Sequence, residues 1–289
     1  MKRLILIPIL TILFLAYNTH FKRTKGFCVE KVKAYSRPAD SKYDMPQSDF
    51  DAQSALNQTF YYLSSGASMY VFVSEDQRYV LKLFKQRHMR PFSVYEKLIG
   101  YPLIPSKQRS LNNRLQFRKK AFDSCLIAYS KFRDQTGVLY MHLNPTSHLN
   151  VRLRLVDHKG SHLLLNADKE EYYIQRKGEG IIDCICKWHS EGERETIRNA
   201  LKSLVELIIA RCEREIGDFD NCSKNFAFID GKAIEIDIGE FWNDPGVKER
   251  VHINAHIITA TFDLRNYLAK HYPELRDDLD EILREYGAV

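Results

Sequence analysis

Strand-like runs come first in this chain and long helical patterns come last, and that order limits the folds open to it. Three β-rich runs follow one another at 59–63, 70–73 and 78–84. The bends between them, Ser64-Ser65-Gly66-Ala67-Ser68 and Ser74-Glu75-Asp76-Gln77, are built from small and polar turn formers. The spacing of Leu115, Phe122, Leu126 and Tyr129 predicts a helix over 107–133. Strands resume at 137–143 and 172–175, with a hairpin at 151–156 and 162–165 in between. A long amphipathic helix is predicted over 193–215, with Ile197, Leu201, Leu204, Ile208 and Cys212 on one stripe. A second hairpin, 225–229 with 233–236, turns at Asp230-Gly231-Lys232, and helices at 249–271 and 274–286 close the chain. A doubly wound parallel sheet alternates strand and helix along the sequence. This chain segregates them, so the expected class is α+β in two lobes.

The 289 residues suffice for two lobes around a cleft. With 44% hydrophobic and 28% charged residues, the chain is globular rather than disordered. At the N-terminus, Lys2 and Arg3 precede an apolar run over 4–17 that contains Pro8, and Phe21-Lys22-Arg23-Thr24-Lys25 follows. The run is shorter than the roughly 20 residues a spanning helix needs. Residues 1–25 are therefore expected to be a signal peptide or a membrane anchor, and the protein membrane-associated or exported. Residues 26–54, with Pro38, Pro46 and no periodicity, read as a linker.

Between Lys85 and Lys120 ten Lys and Arg residues face one acid, Glu96. Such a run is either a solvated face or an attraction to an anionic membrane surface, where each basic side chain contributes about 1 kcal/mol. The aromatics Phe92, Tyr95, Tyr101 and Phe117 are irregularly spaced and no nucleic-acid motif accompanies the charge, so no specific nucleic acid is expected as partner. The six cysteines are scattered. Cys184-Ile185-Cys186 lacks both the spacing and the second pair of a zinc site, and an even count permits disulfides in an exported protein.

Four segments carry candidate chemistry. The turn around Gly66 is made of small residues that let backbone N–H groups approach phosphate oxygens. One strand later, Lys82 stands alone in the apolar run Tyr79-Val80-Leu81-Lys82-Leu83-Phe84; an edge-strand lysine facing solvent is the plain alternative. After the long helix comes Asp218-Phe219-Asp220-Asn221-Cys222-Ser223-Lys224-Asn225, and across the second hairpin Asp237-Ile238-Gly239. Asp and Asn also favour ordinary turns. Together, however, Lys82, Asp220, Asn225 and Asp237 are the types phosphoryl transfer needs: a cation for phosphates, oxygen ligands for Mg2+, and a carboxylate for the accepting hydroxyl.

This order resembles the protein kinase superfamily, over about residues 55–242. Leu63 to Val71 is similar to a Gly-rich loop in which Gly66 keeps the middle glycine while Ser64 and Met69 replace the others. The resemblance implies that Val71 packs on adenine, that Lys82 is the β3 lysine, and that 173–177, with Gln175 at its centre, is the inter-lobe hinge meeting the nucleotide. It further implies Asp220 as catalytic carboxylate, Asn225 and Asp237 as metal ligands, and ATP and Mg2+ as cofactors. The implied architecture is a β-rich N-lobe over 55–177 and a reduced helical C-lobe over 178–289. There are departures. Asp218-Phe219 replaces His-Arg before Asp220, Cys222 replaces a lysine, and no Glu sits in the helix that should pair with Lys82. Asp123 and Glu96 are the nearest substitutes, and no Ala-Pro-Glu follows Gly239. Two functions are consistent with this pattern. One is an atypical phosphotransferase acting on a lipid, sugar or protein hydroxyl; the other is a non-catalytic pseudokinase-like binding module at a membrane or cell envelope.

Overall fold

The computed structural model describes residues 26–46, 49–91 and 94–288. The expected signal or anchor over 1–25 lies outside them. Among the described residues no helix is long and apolar enough to cross a membrane. The fold is α+β, with a mixed sheet and helices. The chain forms two compact units. One takes residues up to Leu115 together with Tyr140–Ile174, and the other Gln116–Leu139 together with Gln175 onward.

The first unit is organised by a seven-stranded sheet of β1 (Thr59–Ser65), β2 (Met69–Ser74), β3 (Tyr79–Phe84), β4 (Val138–His142), β5 (Arg152–Val156), β6 (His162–Asn166) and β7 (Tyr172–Arg176). Its order is β4-β7-β3-β2-β1-β5-β6. β1–β2, β2–β3 and β5–β6 pair antiparallel, and β1–β5 parallel. β4 and β7 run out to the residues where the chain changes unit. The sequence of β3 explains its place. Val80 to Phe84 are all buried, so the strand has no wet face and belongs inside a covered sheet. Phe60, Phe72, Leu81, Leu83, Tyr172 and Ile174 are fully buried around it.

The stretch expected to be a linker packs onto this unit. Phe27 sets its ring edge-on to Tyr70 at 5.0 Å and Phe72 at 5.2 Å, and the Tyr70 hydroxyl donates to the Gly26 carbonyl at 2.7 Å. The Ala34 N–H donates to the Glu170 carboxylate at 2.7 Å, and Val32 and Tyr43 are buried. These are isolated anchors, and they leave no periodic trace in the sequence.

In the second unit, β8 (Glu179–Gly180), β10 (Phe226–Ile229) and β11 (Lys232–Glu235) form a small sheet in the order β11-β10-β8. β9 (Ile216–Asp218) and β12 (Phe241–Asn243) form a two-stranded antiparallel ribbon. Asp230 and Gly231, both at positive φ, make the tight turn between β10 and β11. Helices Ile181–Ser190, Arg194–Glu213, Arg250–His271 and Pro273–Glu285 complete the unit with the later part of the long helix Pro105–Lys131. The helix Ile181–Ser190 is absent from the sequence reading, since Ile181-Ile182-Asp183-Cys184-Ile185 is short and rich in β-branched residues. All six cysteines are free thiols, with Cys125, Cys184 and Cys212 buried.

Candidate functional site

The β10–β11 hairpin and the β9–β12 ribbon of the second unit frame two loops, 219–225 and 236–240. Asn225 joins them. Its side-chain amide donates to the Asp220 carbonyl. Its own carbonyl accepts from the N–H groups of Ile236 at 2.7 Å and Asp237 at 3.4 Å. Phe219 N–H reaches the Glu240 carbonyl at 3.3 Å, closing the other end. Residues twelve apart in sequence are thereby held side by side, with Asn225 buried and the side chains of Asp220 and Asp237 exposed. The Asp237 carboxylate accepts from the Gly239 N–H at 3.1 Å. Ser124, on the long helix, fixes the second loop: its buried hydroxyl donates to the Ile238 carbonyl and accepts from the Phe241 N–H at 2.7 Å.

Below these loops lies an ionic cluster that sequence reasoning missed. Arg211 is fully buried. Its guanidinium donates to Glu235, to Asp218 at 3.5 Å and to Asn221 at 3.0 Å, and lies 3.3 Å from His256 Nδ1. Asn221 in turn donates to the His256 carbonyl at 2.6 Å. The cluster thus ties the helix Arg194–Glu213 to both β ribbons and to the loop that carries Asp220. Its sequence signals are one arginine on an apolar helix stripe and one glutamate closing an apolar strand, each costly to bury unpaired.

Burial raises the Asp218 carboxyl; Arg211 opposes the shift, and Asp237 and Asp220 add to it. Burial pushes Glu235 up to about 8 against the pull of Arg211. Burial and the neighbouring Arg211 bring His256 down to about 4, so its imidazole is neutral near pH 7. A carboxyl whose folded pKa stands above its unfolded value stabilises the fold fully below the unfolded pKa. That contribution is lost as pH rises through about 8. His256 has the opposite dependence and acts below the ordinary histidine range. The melting temperature is therefore expected to fall from about pH 6.5 to about pH 9, and Glu235→Gln, which cannot ionise, to flatten that fall. An equally steep fall in the variant would remove Glu235 as its source.

In the first unit, β2 and β3 place Val71 directly opposite Lys82, so the two side chains share a face. Lys82 is 9% exposed, in a strand with neighbours on both sides, which rules out the solvent-facing edge lysine. Its ammonium lies over the Tyr173 ring at 5.5 Å. The Gly66 turn is held by its own N–H donating to the Met69 carbonyl at 3.1 Å and by Lys85, which donates to the Gly66 carbonyl and sits over the Tyr70 ring at 4.6 Å. A Cβ added at Gly66 meets nothing within 4 Å. Gly66→Ala is thus expected to leave the melting temperature within about 1 °C of wild type, so any loss of nucleotide affinity in that variant reports contact with the ligand. A large drop in melting temperature would instead give Gly66 a role in the fold.

Gln175 uses its side chain within the second unit, donating to the carbonyls of Thr136 at 2.6 Å and Glu235 at 3.4 Å. Only its backbone is left for the nucleotide contact expected of it. Glu96 pairs with Arg114 at 3.6 Å and Asp123 with Lys119 at 2.8 Å. Among the described residues no group of three or more His, Cys, Asp and Glu is arranged to hold a metal. The Asn225 and Asp237 side chains nevertheless suit Mg2+, which takes hard oxygen donors and commonly draws only one or two ligands from protein, with phosphate and water supplying the rest. With its amide nitrogen committed to the Asp220 carbonyl, Asn225 has its side-chain oxygen as the one atom that could coordinate a metal.

No protein-family model matches the sequence. No curated protein matches it. Among solved structures it is similar to WbdD, described as a bifunctional kinase-methyltransferase, at 14% identity. One WbdD structure gives a TM-score of 0.39 over 79% of this chain and 45% of that one, and another 0.37 over 77% and 43%. A third, with the kinase inhibitor LY294002, gives 0.37 over 79% and 46%. The chain spans less than half the length of these proteins.

Proposed function

We propose that this chain is an ATP- and Mg2+-dependent phosphotransferase of atypical protein-kinase-like type, with a β-rich N-lobe over 55–177 and a reduced helical C-lobe over 178–289. The observation that carries the reading is the junction at Asn225, which brings a D-x-x-x-x-N loop and a D-x-G loop together with two exposed carboxylates. Lys82 is assigned to the nucleotide phosphates, Gly66 to close backbone approach, and Val71 and the backbone at Gln175 to the adenine. Asn225 and Asp237 would hold Mg2+, which neutralises charge on the phosphate oxygens when bound. Asp220 takes the proton of the acceptor hydroxyl as that oxygen bonds to the γ-phosphorus; the bond to the β–γ bridging oxygen breaks and ADP leaves. Asp220 is preferred to Asp218 because its carboxylate is exposed while that of Asp218 is buried against Arg211.

A ligand at 100 times its Kd that binds only the folded state stabilises it by about 2.7 kcal/mol. Mg-ATP is expected to raise the melting temperature of the full chain, and Lys82→Met to need at least about tenfold more ATP for the same shift. A Lys82→Met titration that overlays wild type contradicts the assignment.

The second reading, a non-catalytic binding module at a membrane, is favoured by one feature. Leu98 is 80% and Leu103 87% exposed, close in sequence to exposed Lys97 and Arg109. An apolar tip flanked by cations suits the surface of an anionic bilayer, in keeping with a membrane-associated or exported protein. Flotation with phosphatidylserine-containing vesicles checks this patch, and a Leu98→Asp/Leu103→Asp variant that floats like wild type excludes it.

A further inference from the structure

Phe219 and Trp242 form an aromatic platform beside the Asp220 loop. Their ring centroids are 3.8 Å apart with an interplanar angle of 20°. Phe219 is 72% exposed, an unusual position for a phenyl ring next to a carboxylate with an assigned role. The platform is built in from below. A Cβ on Gly217 would stand 2.3 Å from the Trp242 ring, so only glycine at that position of β9 admits the indole. The Trp242 indole N–H lies 3.4 Å from the Asp244 carboxylate, and the register of β12 against β9 sets Trp242 opposite Gly217. Phe219 and Trp242 line a cleft of about 270 Å3 together with Lys120, Asp123, Glu240 and Asn243.

We infer that this cleft is a carbohydrate subsite, in which one sugar ring lies on the outer face of Phe219, whose other face rests on Trp242, and presents a hydroxyl toward the neighbouring Asp220. The inference rests on the phosphotransferase reading for the fate of that hydroxyl, though not for the binding itself. A pyranose has one face of C–H groups and an edge of hydroxyls. It needs a flat apolar floor with donors and acceptors around the rim, and the cleft supplies both: Lys120 and the Asn243 amide nitrogen can donate, and Asp123 and Glu240 can accept, while the Asn243 oxygen already accepts from Lys131 at 2.9 Å. The volume lies just under the range of about 300–1,000 Å3 typical of drug-sized pockets, so one small ring fits better than an extended segment. Stacking on the exposed Phe219 ring, which Trp242 backs, adds affinity beyond the area covered.

The test exposes the full chain to an array of immobilised oligosaccharides and, in parallel, to a peptide array, and records the Mg-ATP melting shift of wild type. Phe219→Ala and Phe219→Tyr accompany wild type, each checked for fold by circular dichroism. The expected result is glycan binding that weakens at least about tenfold in Phe219→Ala and survives in Phe219→Tyr. Glycan binding unaltered in Phe219→Ala overturns the platform. No glycan binding, or binding to peptides alone, with the Mg-ATP shift present overturns the subsite and leaves the phosphotransferase reading standing. Phe219-dependent glycan binding without a Mg-ATP shift keeps the subsite and removes the phosphotransferase reading. Absence of both glycan binding and the shift removes both.

Discussion

Arg211→Ala is expected to destabilise the protein by about 3–5 kcal/mol, the range for removing one partner of a buried ion pair. The substitution leaves Glu235, itself wholly buried, with its other oxygen already lacking a hydrogen-bond partner among the described residues. It also strips Asp218 and Asn221 of their shared donor, so the Asp220 loop loses its support from below. Set against a total stability of about 5–15 kcal/mol for an ordinary domain, this is a large fraction. Exchanging both partners, in Arg211→Met/Glu235→Leu, is expected to recover part of the loss, because Glu235 is then no longer buried without its donor, while Asp218 still lacks Arg211. Urea denaturation of the three proteins checks this. An Arg211→Ala variant within about 1 kcal/mol of wild type contradicts the assignment of the cluster as the support of the loop.

The second large effect concerns chemistry. Asp220→Asn keeps the side chain's size and the backbone carbonyl that Asn225 holds, and removes only the proton acceptor. General-base catalysis contributes about 10²–10⁴-fold, so ADP formation from Mg-ATP is expected to fall by that factor while the Mg-ATP melting shift stays as in wild type. A variant that forms ADP at the wild-type rate removes Asp220 from its assigned role. Stability provides a separate check, because Asp220 is exposed and its carboxylate meets the Cys222 thiol only at a long 4.0 Å.

Much of the fold was legible because it rests on local signals. The three runs beginning at residue 59 appear as β1, β2 and β3, and the hairpin at Asp230-Gly231 turns where its dipeptide predicts. The helices predicted over 107–133 and 193–215 are Pro105–Lys131 and Arg194–Glu213. What sequence could not show depends on long-range contact. β5 pairs parallel with β1 across some ninety residues, and no local pattern encodes that choice. The anchoring of Phe27 among Tyr70 and Phe72 is of the same kind.

At the site, Asp220, Asn225 and Asp237 were legible by spacing. Ser124, Arg211, Asn221 and Trp242 were not, because each acts through a partner more than twenty residues away, Ile238, Glu235, His256 and Phe219 in turn. In the sequence Phe219 stands only as an interruption of a motif. Its exposure and its stacking on Trp242 give it a role that no residue pattern announced.

The central claim is that the Asn225 junction makes a metal-dependent nucleotide site. Isothermal titration of the full chain with a non-hydrolysable ATP analogue, with and without Mg2+, tests it most directly when wild type is compared with Asp237→Asn. Wild type is expected to bind more tightly when Mg2+ is present, and Asp237→Asn to bind equally with and without it. Binding that ignores Mg2+ in wild type, or no binding under either condition, would contradict the claim.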